Sequence, residues 1–366
     1  MHSRRVPGLS AFRGLIALAF VAAACSNGGS SATSPATSVA TSTSTSVNAT
    51  SSIPLATTTS STTINEQYDS LTALAFDNDA IYGRWTQTSR SRKTDRLVRF
   101  DRATGTISFI DAVTSPAAAI RAGRWLFVVA FDLDKPCTDA CAGKVMRLDP
   151  TTMHIEQSEP IDRVTGGLAL VGNTLWVASR QAVMRVAIDT GQILASPLGE
   201  FAATETIAGL TATSRPSRVY AVVAQGQDRY ALAALDPTSG HVTARGSTIG
   251  AGPGGAGISH GDYGLWFSIA TGMQGYAIKV DPDTLTRLDV RLDSQARPTV
   301  QQGVGVLWVD ESWGGFLSCA DPATGAILWR KDIQTNTVSF ARDTTGRMTP
   351  FQGWVPVDAP SACAQG

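Results

Sequence analysis

A short apolar strand recurs along this chain at nearly constant spacing, and that period restricts the fold more than any other feature. The copies are "IYGRW" from Ile81, "LFVVA" from Leu126, "LWVAS" from Leu175, "VYAVVA" from Val219, "LWFSIA" from Leu265, "LWVDES" from Leu307 and a degenerate "MTPF" from Met348. Their starts lie 45, 49, 44, 46, 42 and 41 residues apart. Each copy but the last leads through another strand into a turn: "FDRATG", "LDPTTM", "AIDTG", "LDPTSG", "VDPDTL" and "ADPATG". Asp, Pro, Thr and Gly favour turns because they bond locally to the backbone, preset φ or tolerate positive φ. An apolar strand follows several of these turns, as in "TISFID" and "AILWRK", and a glycine-rich approach such as "GGLALVGNTLW" often precedes the recurring strand.

Several short strands in a unit of about 45 residues are the mark of a β-propeller. One four-stranded sheet leaves both apolar faces in water. Stacking such sheets around an axis buries both, and closing the ring leaves only short edges. The expected fold is therefore all-β, a propeller of seven blades, each a four-stranded antiparallel sheet, with six or eight blades as alternatives. The Leu-Trp pairs are expected between adjacent blades. The seventh copy is incomplete, so a strand from about Ser52 to Gln67 is expected to finish that blade and close the ring.

The first 24 residues read as an export signal. Arg4 and Arg5 supply the positive region, and "LIALAFVAAA" from Leu15 is an apolar run too short for a stable membrane span. "AAAC" resembles a bacterial lipobox, with Ala22 where most carry Leu. That resemblance implies that Cys25 is acylated and becomes the mature N-terminus. "SRRVPGL" faintly resembles a twin-arginine signal, so the export route stays open. Residues 26 to 63 are mostly Ser, Thr, Ala, Pro and Gly, without hydrophobic period, and cannot offset the entropy of ordering. They are expected to be a tether, with the propeller occupying 64 to 366. The expected location is the extracytoplasmic face of the cell membrane, held there by lipid alone. The 30 basic and 30 acidic residues cancel, which argues against a nucleic-acid partner.

Five cysteines are present, an odd number for an exported protein. With Cys25 assigned to lipid, Cys137, Cys141, Cys319 and Cys363 remain for two disulfides in an oxidising compartment. "CTDAC" is expected to close a small loop. Cys319 and Cys363 would then tie the C-terminus to the body. Zinc is the competing reading of the close pair, but no second pair or nearby His completes a ligand set, so no metal is expected.

"ADPATGAILW", Ala320 to Trp329, resembles the tryptophan-docking repeat of pyrroloquinoline-quinone propellers, and the other turns are looser copies. The body as a whole resembles the broad PQQ-like, YVTN and streptogramin-lyase-like group of repeats. The quinone enzymes imply calcium ligands, a catalytic carboxylate and a flat cofactor chamber, none of which the sequence identifies. No cofactor is expected, and Trp329 is expected to be buried between blades. The lyases imply His and Glu around an axial metal. Of His2, His154, His241 and His260, only His260 is placed to approach the axis, with Glu311 a distant candidate partner. "GISHG" at 257–261 and "GAGPGG" at 250–255 match a nucleophile elbow and a dinucleotide fingerprint, but neither has the following helix. Both are expected in a loop between blades.

No catalytic residue is assigned. Function is expected on the loops between second and third strands: a basic cluster of Arg90, Arg92 and Lys93, and an acidic, aromatic rim of Asp310, Glu311 and Trp313. With His260 these are the candidate ligand or partner residues. The expected role is a monomeric, non-catalytic scaffold for a protein or glycan at the cell surface. The alternative is a propeller enzyme, a lyase or a quinone-dependent dehydrogenase.

Overall fold

The computed structural model describes residues 69–88, 93–132, 141–161, 164–195, 201–214, 217–226, 228–250, 256–271, 274–294, 298–311, 314–333 and 338–363. The described chain is a ring of antiparallel sheets in sequence order. Blades 1 to 6 span 69–114, 116–161, 164–195, 205–250, 256–294 and 299–332, each with four principal strands. Blade 7 contributes three described strands, Val338–Arg342, Met348–Gln352 and Val355–Pro356. Its first strand lies beside the first strand of blade 1, Asp69–Phe76, in a parallel contact at Ala75 and Arg342. The proposed closing strand near Ser52 to Gln67 falls outside the described residues.

Each recurring apolar segment forms the second strand of its blade, and its alternation explains the stacking. Leu175 joins the core between blades 2 and 3, while Trp176 joins the core between blades 3 and 4. Leu265 and Trp266 divide likewise between the 4–5 and 5–6 interfaces, and Leu307 and Trp308 between 5–6 and 6–7. Successive strand residues point to opposite faces, so one pair serves two interfaces. A buried Leu contributes about 2 kcal/mol. Ala73, Ile81, Ala341 and Phe351 form the core between blades 7 and 1, which closes the ring by packing.

The aspartate turns end the third strands. Asp101, Asp149, Asp236, Asp281 and Asp321 each accept a backbone N–H from two residues ahead. Two residues after that contact the chain must turn left-handed. Glycine does so at Gly105, Gly240 and Gly325 (φ 70°, 79° and 74°), but Met153 and Leu285 adopt φ 57° and 56°. Both of these side chains are buried. Core packing offsets a backbone cost of about 1 kcal/mol. The turns also link blades. Arg147 and Lys279, on third strands, donate to the carbonyls of Asp189 and Pro322 in the following blade's turn, and Arg185 does the same to Thr238.

Two expectations are corrected, those for "GISHG" and Trp329. "GISHG" is not a loop: it lies in Ala256–Gly261, the first strand of blade 5. "GAGPGG" lies outside the described residues except for Gly250, which ends a two-residue strand. Trp329 sits on the outer strand of blade 6, against the 6–7 core, and is only half-buried. An outermost strand has water on one side, so its Trp cannot be enclosed as Trp176 is.

Candidate functional site

The first strand of each blade is the innermost, and in blades 2 to 6 it is paired on one side only. Its other edge turns toward the axis without a strand partner. These edges surround an axial channel of about 630 Å³, a volume suited to a small organic ligand. The wall is built largely of small and hydrogen-bonding residues: Thr165 and Gly167 from blade 3, Gly209 and Thr211 from blade 4, Gly257 and Ser259 from blade 5, and Thr299 and Gln301 from blade 6. Glycine at 209 reflects space rather than strain. A Cβ there would meet Ile258 Cγ2 at 3.7 Å and Val222 Cγ2 at 4.0 Å.

The charged lining groups lie in blades 5 and 7. Asp262, in the turn after the first strand of blade 5, accepts from Arg347 of blade 7 at 2.7 Å. His260 stacks on Tyr220 of blade 4, with ring centroids 6.0 Å apart and planes 14° from parallel. Ser259 faces the other way: its Oγ accepts the backbone N–H of Gln302 at 3.0 Å. The Gln302 side chain donates to the Gly264 carbonyl at 2.6 Å and accepts from the Tyr263 N–H at 3.0 Å. Ser259 is therefore a blade-to-blade connector inside a strand, a geometry unlike a nucleophile elbow.

Burial pushes the His260 imidazolium down to about 4, against an opposing pull from Asp262. His260 is thus neutral in the folded protein over a range where the unfolded chain is protonated. Its contribution to stability is complete above pH 6.5 and is lost as pH falls toward 4. The ring is partly exposed to the channel, which reduces the effect to about 2 kcal/mol. Urea denaturation at pH 7, 6, 5 and 4.5 is expected to show this decline, and His260→Gln is expected to flatten it. An equal decline in His260→Gln would assign the proton to another group.

The loop residues fare differently. Glu311 does not form an exposed rim. It is 2% exposed, accepts from Ser318 Oγ at 2.7 Å and Arg330 Nη2 at 3.0 Å, and is bonded to Ser294 Oγ. A buried carboxylate requires such partners, and the outer strand of blade 6 supplies the arginine. Glu311 is accordingly a structural group and not a partner of His260. Asp310 is half-buried in the strand Leu307–Glu311, between Thr299 and Leu317. Lys93 opens the third strand of blade 1 opposite Thr88. Arg90, Arg92 and Trp313 lie outside the described residues, as do Cys25 and Cys137. Cys141 is disulfide-bonded, and Cys319 is bonded to Cys363.

Sequence reasoning missed Arg342 and most of the channel wall. Inner strands such as "TVQQ" and "VSFAR" are short and mixed in polarity. The hint was the glycine-rich approach before several recurring strands, which the structure turns into axial wall.

No family model matches this sequence, and no curated protein matches it. Solved structures do match. The Cps50 (Swd1) β-propeller domain of Myceliophteria thermophila aligns with a TM-score of 0.55 at 12% identity, over 79% of this chain and 95% of that one. A catalytically inactive virginiamycin B lyase from Staphylococcus aureus, with quinupristin, aligns with a TM-score of 0.51 at 16% identity, over 79% and 97%. Hydrazine synthase of Kuenenia stuttgartiensis aligns with a TM-score of 0.51 at 11% identity, over 79% and 94%. These likenesses establish the fold, a β-propeller, and fold alone does not transfer a site.

Proposed function

We propose that this protein is an exported, lipid-anchored β-propeller that serves as a non-catalytic binding or sensing scaffold, with the axial channel as its ligand site. The observation that carries the reading is the state of the titratable groups at the channel. His260 is stacked and held neutral, and Asp262 is paired with Arg347. Around them stands a wall of strand-borne hydroxyls, amides and glycines. Such a wall recognises a polar ligand by hydrogen bonds, and its rigidity limits the ordering cost of binding. A protein or glycan partner at the loop face is the weaker part of the reading, because Glu311 is withdrawn into the core. The anchor rests on the "AAAC" resemblance at Cys25.

Two measurements on the full chain in an exporting host test this. With a clickable fatty acid, the wild type is expected to label and sediment with membranes, and Cys25→Ala to do neither. Unlabelled, soluble wild type would overturn the anchor. For the channel, Ala208→Phe, at an exposed position of the wall, is expected to melt within a few degrees of wild type. It should reduce binding of channel ligands at least tenfold in native mass spectrometry. Undiminished binding would move the site elsewhere, and turnover of a bound compound would replace the scaffold by an enzyme.

A further inference from the structure

Arg342 ends the first strand of blade 7 and lines the axial channel. Its backbone is engaged with Met348 and, at the ring closure, with Ala75. Its guanidinium has no acidic and no hydrogen-bonding partner among the described residues. The other described charges on the channel wall do not compensate it. Asp262 is committed to Arg347 at 2.7 Å, and His260 is neutral. The described wall therefore carries two guanidiniums and one carboxylate. Protein surrounds Arg342 closely enough that burial alone lowers its pKa to about 10, which leaves it charged at neutral pH. It is nevertheless only half-buried from solvent. The two facts agree if the side chain lies inside the ring but opens onto the channel.

A buried cation without a counter-charge is costly, and proteins normally pair it. A guanidinium presents a planar fork of donors matched to two oxygens of a carboxylate or phosphate. We propose that the channel binds a small organic anion through carboxylate or phosphate oxygens held by Arg342. The hydroxyl of Thr211 lies on the same wall, while that of Thr345 is already donated to Asp343. This deepens the channel-binding reading above and depends on it.

The test uses the full chain with two probes, inorganic phosphate and succinate, at ionic strength held constant with sodium chloride. Wild type is expected to show a saturable rise in melting temperature of several degrees with at least one probe, and the probe that acts identifies the oxyanion. Arg342→Met is expected to weaken the response at least tenfold. Without probe, Arg342→Met is expected to melt no lower than wild type, because it removes an unpaired charge; a purely structural arginine predicts a drop. Arg342→Lys keeps the charge but loses the fork, and is expected to bind several-fold more weakly. It serves as the readout if Arg342→Met does not fold. The inference is overturned by the absence of a saturable effect in wild type, or by equal responses in wild type and either variant. If Ala208→Phe abolishes a response that Arg342→Met retains, the channel reading survives and the role of Arg342 does not.

Discussion

Replacing Cys319 and Cys363 together by Ala is expected to lower the unfolding free energy by about 4 to 5 kcal/mol. The bond joins residues 44 apart in sequence, with Cα atoms separated by 6.1 Å. Closing a loop of that length restricts the unfolded chain by about 4 kcal/mol in the chain-entropy account. Cys319 is wholly buried, so its replacement also removes packing. The location increases the effect. Cys319 lies on the third strand of blade 6, and Cys363 follows the three described strands of blade 7. Both side chains belong to the core between these blades, with Trp308, Leu317, Ile333 and Val338. The bond thus fastens the end of the chain to the neighbouring blade beside the ring closure. Urea unfolding of the oxidised wild type and the double variant gives the difference directly. A loss below about 1 kcal/mol would mean that packing alone holds the last blade.

Gly143→Val is expected to cost about 4 kcal/mol, and Gly275→Val a similar amount. The two glycines occupy matching places near the start of the third strand in blades 2 and 5. A Cβ on Gly143 would overlap the Ala130 carbonyl oxygen and Val164 Cγ2, the latter from the first strand of blade 3. A Cβ on Gly275 would overlap the Ile269 oxygen and come within 2.6 Å of Pro298 Cδ, just before the first strand of blade 6. In each case the obstacle is a backbone oxygen of the adjoining strand together with the entering chain of the next blade. A backbone oxygen cannot move aside without disturbing its sheet. These glycines therefore set how closely the next inner strand approaches, and with it the width of the channel. Gly209→Ala is the control and is expected to change stability by less than about 1 kcal/mol, since its Cβ would make ordinary contacts. Thermal melts of the three variants separate close approach from a general penalty for losing glycine. Equal, small shifts in all three would refute the packing argument.

The repeat was legible because each blade states it again. The middle of the second strand is apolar and buried in blades 2 to 5. The turn after the third strand is local chemistry, in which an aspartate caps its own next residues, as at Asp101 and Asp321. In "AIDTG" the aspartate stands two positions later than in the other turns. Ala187, not Asp189, holds the place of the capping aspartate, as the bond from the Gly191 N–H to the Ala187 carbonyl shows. Asp189 instead accepts from Asn173. The loop-face site was less legible. Glu311 and Asp310 are adjacent polar residues beside a turn, and the sequence contains no sign that Arg330, on the outer strand of the blade, folds across to enclose the first of them.

The sequence by itself determined the blade: its strands, its turns, its period and the stacking that the period requires. Those follow from alternation and turn chemistry within about 45 residues, and seven repetitions average out local error. Only the tertiary structure decided what faces the axis. The first strands carry shifts in register, between Ala73 and Ala75 and between Ile207 and Gly209, and each shift re-aims the residues after it. The ring then brings together side chains from blades far apart in sequence, so that Asp262 meets Arg347 and Arg342, on the channel wall, has no side-chain partner among the described residues. Whether a charge is paired depends on those distant neighbours, and a repeating local pattern holds no record of them.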